Sequence, residues 1–227
     1  CPRGARTAPA PDPARPAHGR LPHRGVIDPS VLGMGRRLYL VYKTQGVPST
    51  IRIVLLHHRG LLAGRHSHEL IRSRHIVENP VIQRRGHHYV LVTSEGSYKG
   101  CGYTTVWRRS RHLFRWSGAR PHVLLRQRNT GICGPGGADV VRRRHGDLVF
   151  FHGWTCGSHP RACRSGGRGR RTMYAVSLVW HSGRPRLRPV HAHARHLHGK
   201  RLHARHLRPR RHHRVRLALR AWGRAAA

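Results

Sequence analysis

The chain is 227 residues long and strongly basic, with 45 Lys and Arg against 7 Asp and Glu and a formal net charge of +38. No apolar run approaches the ~18 residues that a membrane span needs, and none of the five cysteines forms the C-x-x-C pair typical of a zinc site. The basic residues are nearly all Arg in an Ala-, Gly- and Pro-rich background typical of high-GC coding, so the charge alone is weak support for polyanion binding.

Both ends of the chain differ in composition from its middle. Residues 1–25 are rich in Pro, Ala and Arg without an apolar period, which predicts disorder. Because the first residue is Cys rather than Met and no signal-peptide pattern follows, we expect the sequence to begin inside a longer gene product. Residues 191–227 carry Arg and His without an acid, and we interpret them as a basic tail. Four histidines of this tail either bind metal opportunistically or are simply solvated: His191, His193, His196 and His198.

The middle region, residues 26–190, repeats one pattern three times. A glycine turn precedes a β-rich run in "GRRLYLVYK" (35–43), "GHHYVLVTS" (86–94) and "GDLVFFHGW" (146–154), and a second strand-like run follows each. A period near 50 residues with about four strands per unit is typical of a β-propeller blade. We therefore predict an all-β fold, a partial β-propeller with about three blades present, with an antiparallel sandwich as the alternative.

Each repeat begins with a short strand that has a polar residue near its start. These strands are "IDPSVL" (27–32), "VENPVI" (77–82) and "GGADVV" (136–141), and they place Asp28 and Glu78 at equivalent positions 50 residues apart. The innermost strand of each propeller blade lines the central channel. We therefore expect Asp28, Glu78 and the start of the third strand to converge on one mouth of that channel.

Two acids that share a channel mouth have the arrangement that glycoside hydrolysis needs. An inverting enzyme flanks the scissile bond with two carboxyl groups about 6.5–9.5 Å apart, and burial together with a nearby carboxylate raises the pKa of its acid. Glu78 lies among the apolar residues Val77 and Val81, with Asp28 one repeat away. From the residues alone, the alternative is that both acids are only capping or turn residues near strand starts.

The same motifs resemble glycoside hydrolase family 43. The resemblance covers roughly residues 25–190 and rests on three ordered segments, "GVIDPSVL…GRRLYLVYKT", "VENPVIQRRGHHYVLVTSEGSYKGCGYTTVWRRS" and "GPGGADVV…LVFFHGW". The family consists of five-bladed β-propellers that include arabinanases, arabinofuranosidases and β-xylosidases. The resemblance implies that Asp28 is the pKa modulator and Glu78 the general acid of an inverting hydrolase acting on arabinan, arabinoxylan or xylan-type polysaccharides.

Two departures from the family pattern bear on activity. The family's catalytic base heads the first blade, and upstream of Asp28 this chain has only the Pro/Arg-rich segment, so about two blades, or ~100 residues, are expected to be absent. We therefore expect an inactive or weakly active chain. Gly137 stands where many family members carry a His near a central metal, for which calcium is the family's candidate, so we expect no cofactor and no metal site.

Four residues near these motifs are predicted to contact substrate, because they lie in loops or at strand ends that face the predicted channel: Tyr98, Glu95, Asp139 and Trp154. For Asp139 a strand-start turn is the alternative role. Aromatic rings can stack on the apolar faces of sugars. Three further aromatic residues are candidates on this ground, although blade core is the better interpretation of the two tryptophans: Tyr103, Trp107 and Trp116.

The remaining features leave several alternatives open. Disulfides Cys101–Cys133 and Cys156–Cys163 are plausible in an exported protein, with free thiols as the alternative, and the resemblance also favours an extracellular location. A second candidate function is a carbohydrate-binding propeller without catalysis. A third is a basic protein that binds nucleic acid or another polyanion through its Arg/His tail.

Overall fold

The computed structural model describes most of the middle of the chain: residues 25–57, 67–144, 146–157, 163–164, 169–188 and 195–196. The chain divides into two units, Cys1–Leu197 and His198–Ala227, and every described residue belongs to the first. The N-terminal segment predicted to be disordered, apart from its last residue, and nearly all of the basic tail lie outside the described residues, so those interpretations stay predictions. Within the described part, no helix has the length and apolar character to cross a membrane.

The described residues form three antiparallel sheets in which consecutive strands are neighbours. The first sheet contains β1 (Val26–Met34), β2 (Arg37–Thr44), β3 (Ser49–Leu56) and β4 (His68–Ser73). The second contains β5 (Val77–Arg85), β6 (His88–Glu95), β7 (Thr104–Ser110) and β8 (His122–Leu125), and helix α1 (Gln127–Thr130) follows it. The third contains β9 (Cys133–Val141), β10 (Asp147–Thr155), β11 (Arg170–His181) and β12 (Arg184–Leu187), and β13 (Arg195–His196) also pairs with β11.

Glycine turns join the first two strands of the first and second sheets, as the sequence predicts. Gly35 and Gly86 have φ of +57° and +58°, a left-handed conformation that residues with a Cβ rarely adopt. No heavy atom lies within 4 Å of the position that a Cβ would take at either residue, so backbone conformation rather than crowding requires glycine there. The prediction of about four strands in each repeat is confirmed.

Two hydrophobic cores lie between the described sheets. The core between the first and second sheets includes Val41 and Ile53 of the first sheet and Leu91 of β6. The core between the second and third sheets includes Val90 and Val92, also of β6. Because side chains alternate across a strand, the second sheet is covered by a neighbour on both faces. This is the packing of a blade that lies between two other blades.

The innermost strands of the three sheets lie side by side, β1 against β5 and β5 against β9. Three separate four-stranded units arranged along a shared line of inner strands are a partial β-propeller, and not the two facing sheets of a sandwich. The predicted all-β propeller with about three blades is therefore confirmed.

Each inner strand carries a bulge at the same place. Pairing with the next strand shifts within residues 27–30 of β1, 78–81 of β5 and 136–139 of β9. One residue in each bulge has a left-handed backbone: Asp28 (φ 56°), Asn79 (φ 52°) and Gly137 (φ 61°). The counterpart of Asp28 in the second blade is therefore Asn79, and the predicted equivalence of Asp28 with Glu78 is wrong by one residue.

Candidate active site

Two hydrogen bonds join the bulges of β1 and β5. The backbone N–H of Asn79 donates to Asp28 Oδ2 at 3.0 Å, and Ser30 Oγ donates to the carbonyl oxygen of Pro80 at 2.5 Å. Asp and Asn adopt a left-handed backbone more readily than other non-glycine residues, because their short polar side chains can bond locally. The bulges thus place the Asp28 carboxylate beside the residue that follows Glu78.

Both oxygens of the Glu78 carboxylate are engaged. Tyr103 donates its hydroxyl to Oε1 at 2.6 Å, and Lys43 Nζ, from β2 of the first sheet, lies 2.8 Å from Oε2. The Asn79 side chain in turn donates to the Tyr103 hydroxyl oxygen at 2.7 Å. The side chains of Lys43 and Glu78 are only 6% and 14% exposed, so water and salt screen this ion pair weakly.

Tyr103 connects Glu78 with the third sheet. Its ring stacks on that of His152 in β10 with centroids 6.4 Å apart, and the guanidinium carbon of Arg171 in β11 lies 5.6 Å from the Tyr103 ring centroid. Burial, together with the hydrogen bond to Glu78, raises the pKa of Tyr103 far above its usual value. Tyr103 is therefore a neutral hydroxyl that donates to the carboxylate.

His152 is a neutral imidazole that packs against the glycines of the third bulge. Burial and the Arg171 guanidinium lower the pKa of His152 to about 4. Arg171 Nε donates to Nδ1 at 2.9 Å, which leaves the ring proton on Nε2. A Cβ on Gly137 would lie 2.2 Å from His152 Nε2, and one on Gly136 would lie 2.0 Å from a Tyr103 ring carbon. Both positions require glycine because the two rings occupy the space beside the backbone.

The centre of this cluster does not fit the calcium that the family resemblance raises. Calcium takes about six to eight oxygen ligands, whereas Gly137 has no side chain and His152 Nδ1 faces the Arg171 guanidinium. Among the residues that the structure describes, no group of three or more His, Cys, Asp or Glu side chains is placed to hold a metal ion.

A cavity of about 400 Å³ opens beside the three bulges. Asp28 from β1, Asn79 from β5, and Gly137 and Asp139 from β9 all line it. Asp139 is exposed, and its carboxylate accepts a hydrogen bond from the next backbone N–H at 2.7 Å. The structure therefore brings Asp139, a predicted substrate contact, to the same cavity as Asp28.

The two aromatic residues predicted to contact substrate lie together. Trp154 Nε1 and Arg171 Nη1 both donate to the carbonyl oxygen of Tyr98 at 2.8 Å, and the Arg171 guanidinium carbon lies 5.2 Å from the Trp154 ring centroid. Tyr98 is 50% exposed, so its ring is accessible to a ligand. Trp107 and Trp116 are buried in the blades, in agreement with their interpretation as blade core.

Glu95, the fourth predicted substrate contact, lies apart from Glu78. The register of β5 and β6 pairs Glu78 with Ser94 and Val77 with Glu95, and adjacent residues of a strand face opposite sides of the sheet. Glu95 accepts a hydrogen bond from Arg108 at 2.5 Å on that opposite face. The structure thus separates Glu95 from Glu78, contrary to expectation, because Glu95 is the last residue of a strand and not part of the loop after it.

Three members of the cluster are not among the residues predicted from the sequence: Lys43, His152 and Arg171. Lys43 could have been noticed, because it is one of three lysines among 45 basic residues. Strand alternation places His152 on the face opposite the buried Phe151, which is a weaker signal. Arg171 carries no sequence signal, because arginine occurs throughout this chain.

Both predicted disulfides are present. Cys101–Cys133 connects the loop before β7 with the start of β9, and Cys156–Cys163 lies just after β10. The first bond ties the loop that carries Tyr98 to the third sheet, from which Trp154 and Arg171 reach it. It therefore helps to fix the position of the exposed Tyr98 ring.

No family model matches the sequence, and no curated protein matches it. Solved structures do match the fold. A thermostable family-43 glycoside hydrolase aligns with a TM-score of 0.60 and 17% identity over 75% of this chain and 60% of its own. An α-L-arabinanase from Cellvibrio cellulosa gives 0.58 and 17% over 71% and 56%. An endo-1,4-beta-xylanase from Bacteroides thetaiotaomicron gives 0.57 and 15% over 73% and 59%.

These likenesses establish the fold. The three sheets are those of family-43 glycoside hydrolase structures, which confirms at the level of fold the resemblance seen in the sequence. The chain spans 56–60% of the length of these three structures.

Proposed function

We propose that this chain is a glycoside hydrolase that acts with inversion on arabinose- or xylose-containing polysaccharides, with Glu78 as general acid and Asp28 as pKa modulator. One observation carries the proposal: the Asn79 N–H binds Asp28, and this hydrogen bond holds the two acids in neighbouring bulges. Asp28 also lines the cavity that all three inner strands enclose. The fold shared with family-43 structures supports the same class of reaction.

In the proposed reaction Glu78 donates a proton to the glycosidic oxygen as that oxygen leaves the anomeric carbon. The neutral Tyr103 hydroxyl then stabilises the resulting carboxylate through its hydrogen bond to Oε1. Water must attack the opposite face of the sugar, and this attack needs a second carboxylate as base. The resemblance assigns that role to no described residue, and Asp139 is the acid that lines the cavity together with Asp28. We therefore expect slow turnover.

Lys43 sets a condition on this reaction. Its ammonium occupies Glu78 Oε2 at 2.8 Å while the Tyr103 hydroxyl occupies Oε1, so neither oxygen is free to face a glycosidic oxygen. Proton donation therefore requires that a bound glycan separates Lys43 from Glu78, for example by offering a sugar hydroxyl to each of them.

The same ion pair favours a second candidate function, a carbohydrate-binding propeller without catalysis. If Lys43 stays paired with Glu78 when glycan is bound, the cavity recognises sugar hydroxyls through fixed polar groups and transfers no proton. The two candidates share a ligand and differ in whether bonds are broken.

The proposed substrate class rests on the neighbours and on the aromatic side chains. An exo-1,5-alpha-L-arabinanase from a bovine ruminal metagenomic library shares the fold, and so does the Cellvibrio cellulosa arabinanase in complex with arabinohexaose. For this chain we propose arabinan- or xylan-type chains that contact the rings of Tyr98 and Trp154. Two disulfides favour an oxidising compartment, and we propose an extracellular location.

Glu78→Gln tests the proposal, and Glu95→Gln is its matched control on the other face of the same strand pair. We expect the wild type to release sugar from arabino- or xylo-oligosaccharides with inverted anomeric configuration, measured by NMR. Glu78→Gln should lower this rate by at least ~100-fold, and Glu95→Gln should change it less than about twofold. Equal rates for the wild type and Glu78→Gln would contradict the assignment of the acid. Binding of arabino-oligosaccharide without turnover would establish the second candidate.

A further inference from the structure

The outer edges of the two sheet interfaces each contain a groove, and the two grooves differ in charge. The groove between the first and second sheets has a volume of about 550 Å³, and acidic Glu69 lines it together with Arg72, Arg108 and Arg115. The groove between the second and third sheets has a volume of about 410 Å³. We call it the arginine groove, because four of its lining residues are arginines and none is acidic: Arg109, Arg120, Arg184 and Arg186.

Two of the three arginines that line the first groove, Arg72 and Arg108, pair with carboxylates, and Arg115 has no carboxylate partner among the described residues. Glu69 pairs with Arg72 at 2.5 Å, and Glu95 pairs with Arg108 at 2.5 Å. In the arginine groove, no described carboxylate pairs with a guanidinium. Four like charges around one concave surface raise the local positive potential, which an anionic ligand would lower.

Two of these arginines form one wall of the arginine groove. Arg184 and Arg186 are exposed and lie two residues apart on strand β12, so they project from the same face. Arg120 is exposed on the loop of the second sheet that forms the other wall. Arg109 has a structural role, because it donates to the Ser182 carbonyl oxygen at 2.9 Å and so bridges the two sheets.

A planar guanidinium binds a carboxylate through two parallel hydrogen bonds, and exposed guanidiniums on two walls can bind successive carboxylates of one chain. The groove also offers small apolar surface at Gly118 and Ala119 that suits the C–H faces of sugar rings. Its tryptophan, Trp107, is 8% exposed and stacks on His122 with centroids 4.7 Å apart, so its ring is not open to stack on a nucleic acid base.

We propose that the arginine groove binds a segment of acidic polysaccharide through uronic acid carboxylates that pair with Arg120, Arg184 and Arg186. The preference for a glycan rests in part on the proposed function. The site itself is separate, because the arginine groove shares no lining residue with the cavity beside the bulges. Through it the protein holds an anionic stretch of a polysaccharide away from the position of Glu78.

The test compares charge removal in the groove with equal charge removal elsewhere. Binding of tetragalacturonic acid to the full chain is measured by titration calorimetry at fixed ionic strength. Arg184→Gln/Arg186→Gln should weaken binding by about tenfold or more. The control, Arg36→Gln/Arg37→Gln, removes two exposed arginines, one in the β1–β2 turn and one at the start of β2, and should change binding less than about twofold. Circular dichroism verifies that both variants are folded.

Three results would overturn the proposal. One is equal weakening by the two double variants, which would mean diffuse charge attraction. Another is equal affinity for tetragalacturonic acid and its methyl ester, which would mean that the carboxylates are not recognised. The third is tighter binding of an oligothymidylate of equal charge through Arg184 and Arg186, which would identify a nucleic acid site. Glu78→Gln should leave the affinity for tetragalacturonic acid unchanged. The proposed hydrolase activity is measured separately, on neutral oligosaccharides, so the two proposals can fail independently.

Discussion

The two interfaces between neighbouring sheets each contain one ion pair among the described residues, and the pairs lie at opposite ends of the strands. Between the first and second sheets, Lys43 pairs with Glu78 at the start of the inner strand β5. Between the second and third sheets, Arg85 at the end of β5 pairs with Asp147. One strand thus carries a charged contact at each end, to a different neighbour each time.

The surroundings of the two carboxylates show what each pair does. Asp147 also accepts hydrogen bonds from Trp180 Nε1 at 2.7 Å and from the Arg143 N–H at 3.4 Å, and the Arg85 guanidinium lies 4.3 Å from the Trp180 ring centroid. This acid is enclosed by protein donors and joins two blades. Glu78 instead lies at the bulged end of β5, next to Asn79, which lines the cavity, although Glu78 is not itself one of the lining residues.

The equivalent backbone N–H groups in the bulges of β5 and β9 also have different partners. The Asn79 N–H in the second blade donates to the Asp28 carboxylate at 3.0 Å, and the corresponding Gly137 N–H in the third blade donates to Ser94 Oγ at 2.8 Å. A neutral hydroxyl therefore satisfies the same backbone group that Asp28 satisfies. The negative charge of Asp28 is therefore not required to satisfy this backbone N–H.

The largest effect is expected from Asp28→Ser, which replaces the acid by the residue type that the other interface uses. The hydroxyl can still accept from the Asn79 N–H, so the free energy of unfolding should fall by no more than about 1 kcal/mol. Hydrolysis of arabino- or xylo-oligosaccharides should fall by about 10²- to 10⁴-fold. The control, Thr105→Val, removes a hydroxyl that donates to the Pro135 carbonyl oxygen at 3.2 Å between the second and third sheets, and it should lose about 1 kcal/mol of stability and retain most of the activity. Equal activity loss in the two variants would mean that Asp28 has no catalytic role beyond its structural hydrogen bond.

Asp147→Asn should lower the stability of the fold and leave turnover unchanged. It removes the charge opposite Arg85 in a pair whose side chains are 12% and 7% exposed, so the free energy of unfolding should fall by about 3 kcal/mol, measured by urea denaturation. Glu95→Gln breaks a more exposed pair and should cost no more than about 1 kcal/mol. Turnover of folded Asp147→Asn should match the wild type. A large loss of turnover without a loss of stability would place Asp147 in the site.

Gly137→Ala measures how tightly the bulge of β9 packs against the His152 ring. A Cβ in the left-handed region costs about 1–2 kcal/mol by itself, and at Gly137 it would also displace His152. Gly35→Ala is the control, because Gly35 has the same backbone conformation and open space around it. We expect Gly137→Ala to lose about 1 kcal/mol more stability than Gly35→Ala in thermal unfolding. Equal losses would mean that His152 moves aside freely.

The smallest effect concerns pH. Burial lowers the pKa of His152 to about 4 in the folded chain, below the value of about 6.5 expected when unfolded. Between these values the unfolded state binds the proton and the folded state does not, so stability is full above pH ~6.5 and falls as pH drops toward ~4. Partial exposure of the ring limits the change to about 1–2 kcal/mol. Unfolding of His152→Gln should show a shallower decline over this range, and an identical decline would contradict the proposed burial of the neutral ring.

Much of the fold can be read from short stretches of the sequence. Glycine turns such as Gly35 and Gly86, alternation within the β-rich runs and the repeat near 50 residues together predict four-stranded blades, because turn and strand preferences act over a few residues. The placement of Asp28 and Glu78 near the starts of inner strands follows from the same repeats. Lys43, His152 and Arg171 could not be found this way, since each reaches the cluster from another strand.

What the sequence by itself determined is the set of blades and the strand starts at which the acids lie. Tertiary structure alone decided which neighbours those acids have. The bulge pairs Asp28 with Asn79 rather than Glu78, and the strand register places Glu95 on the face opposite Glu78. Side chains alternate every residue along a strand, so a shift of one position exchanges the two faces of a sheet. The face on which each side chain lies is set by packing between blades, and no local sequence pattern encodes it.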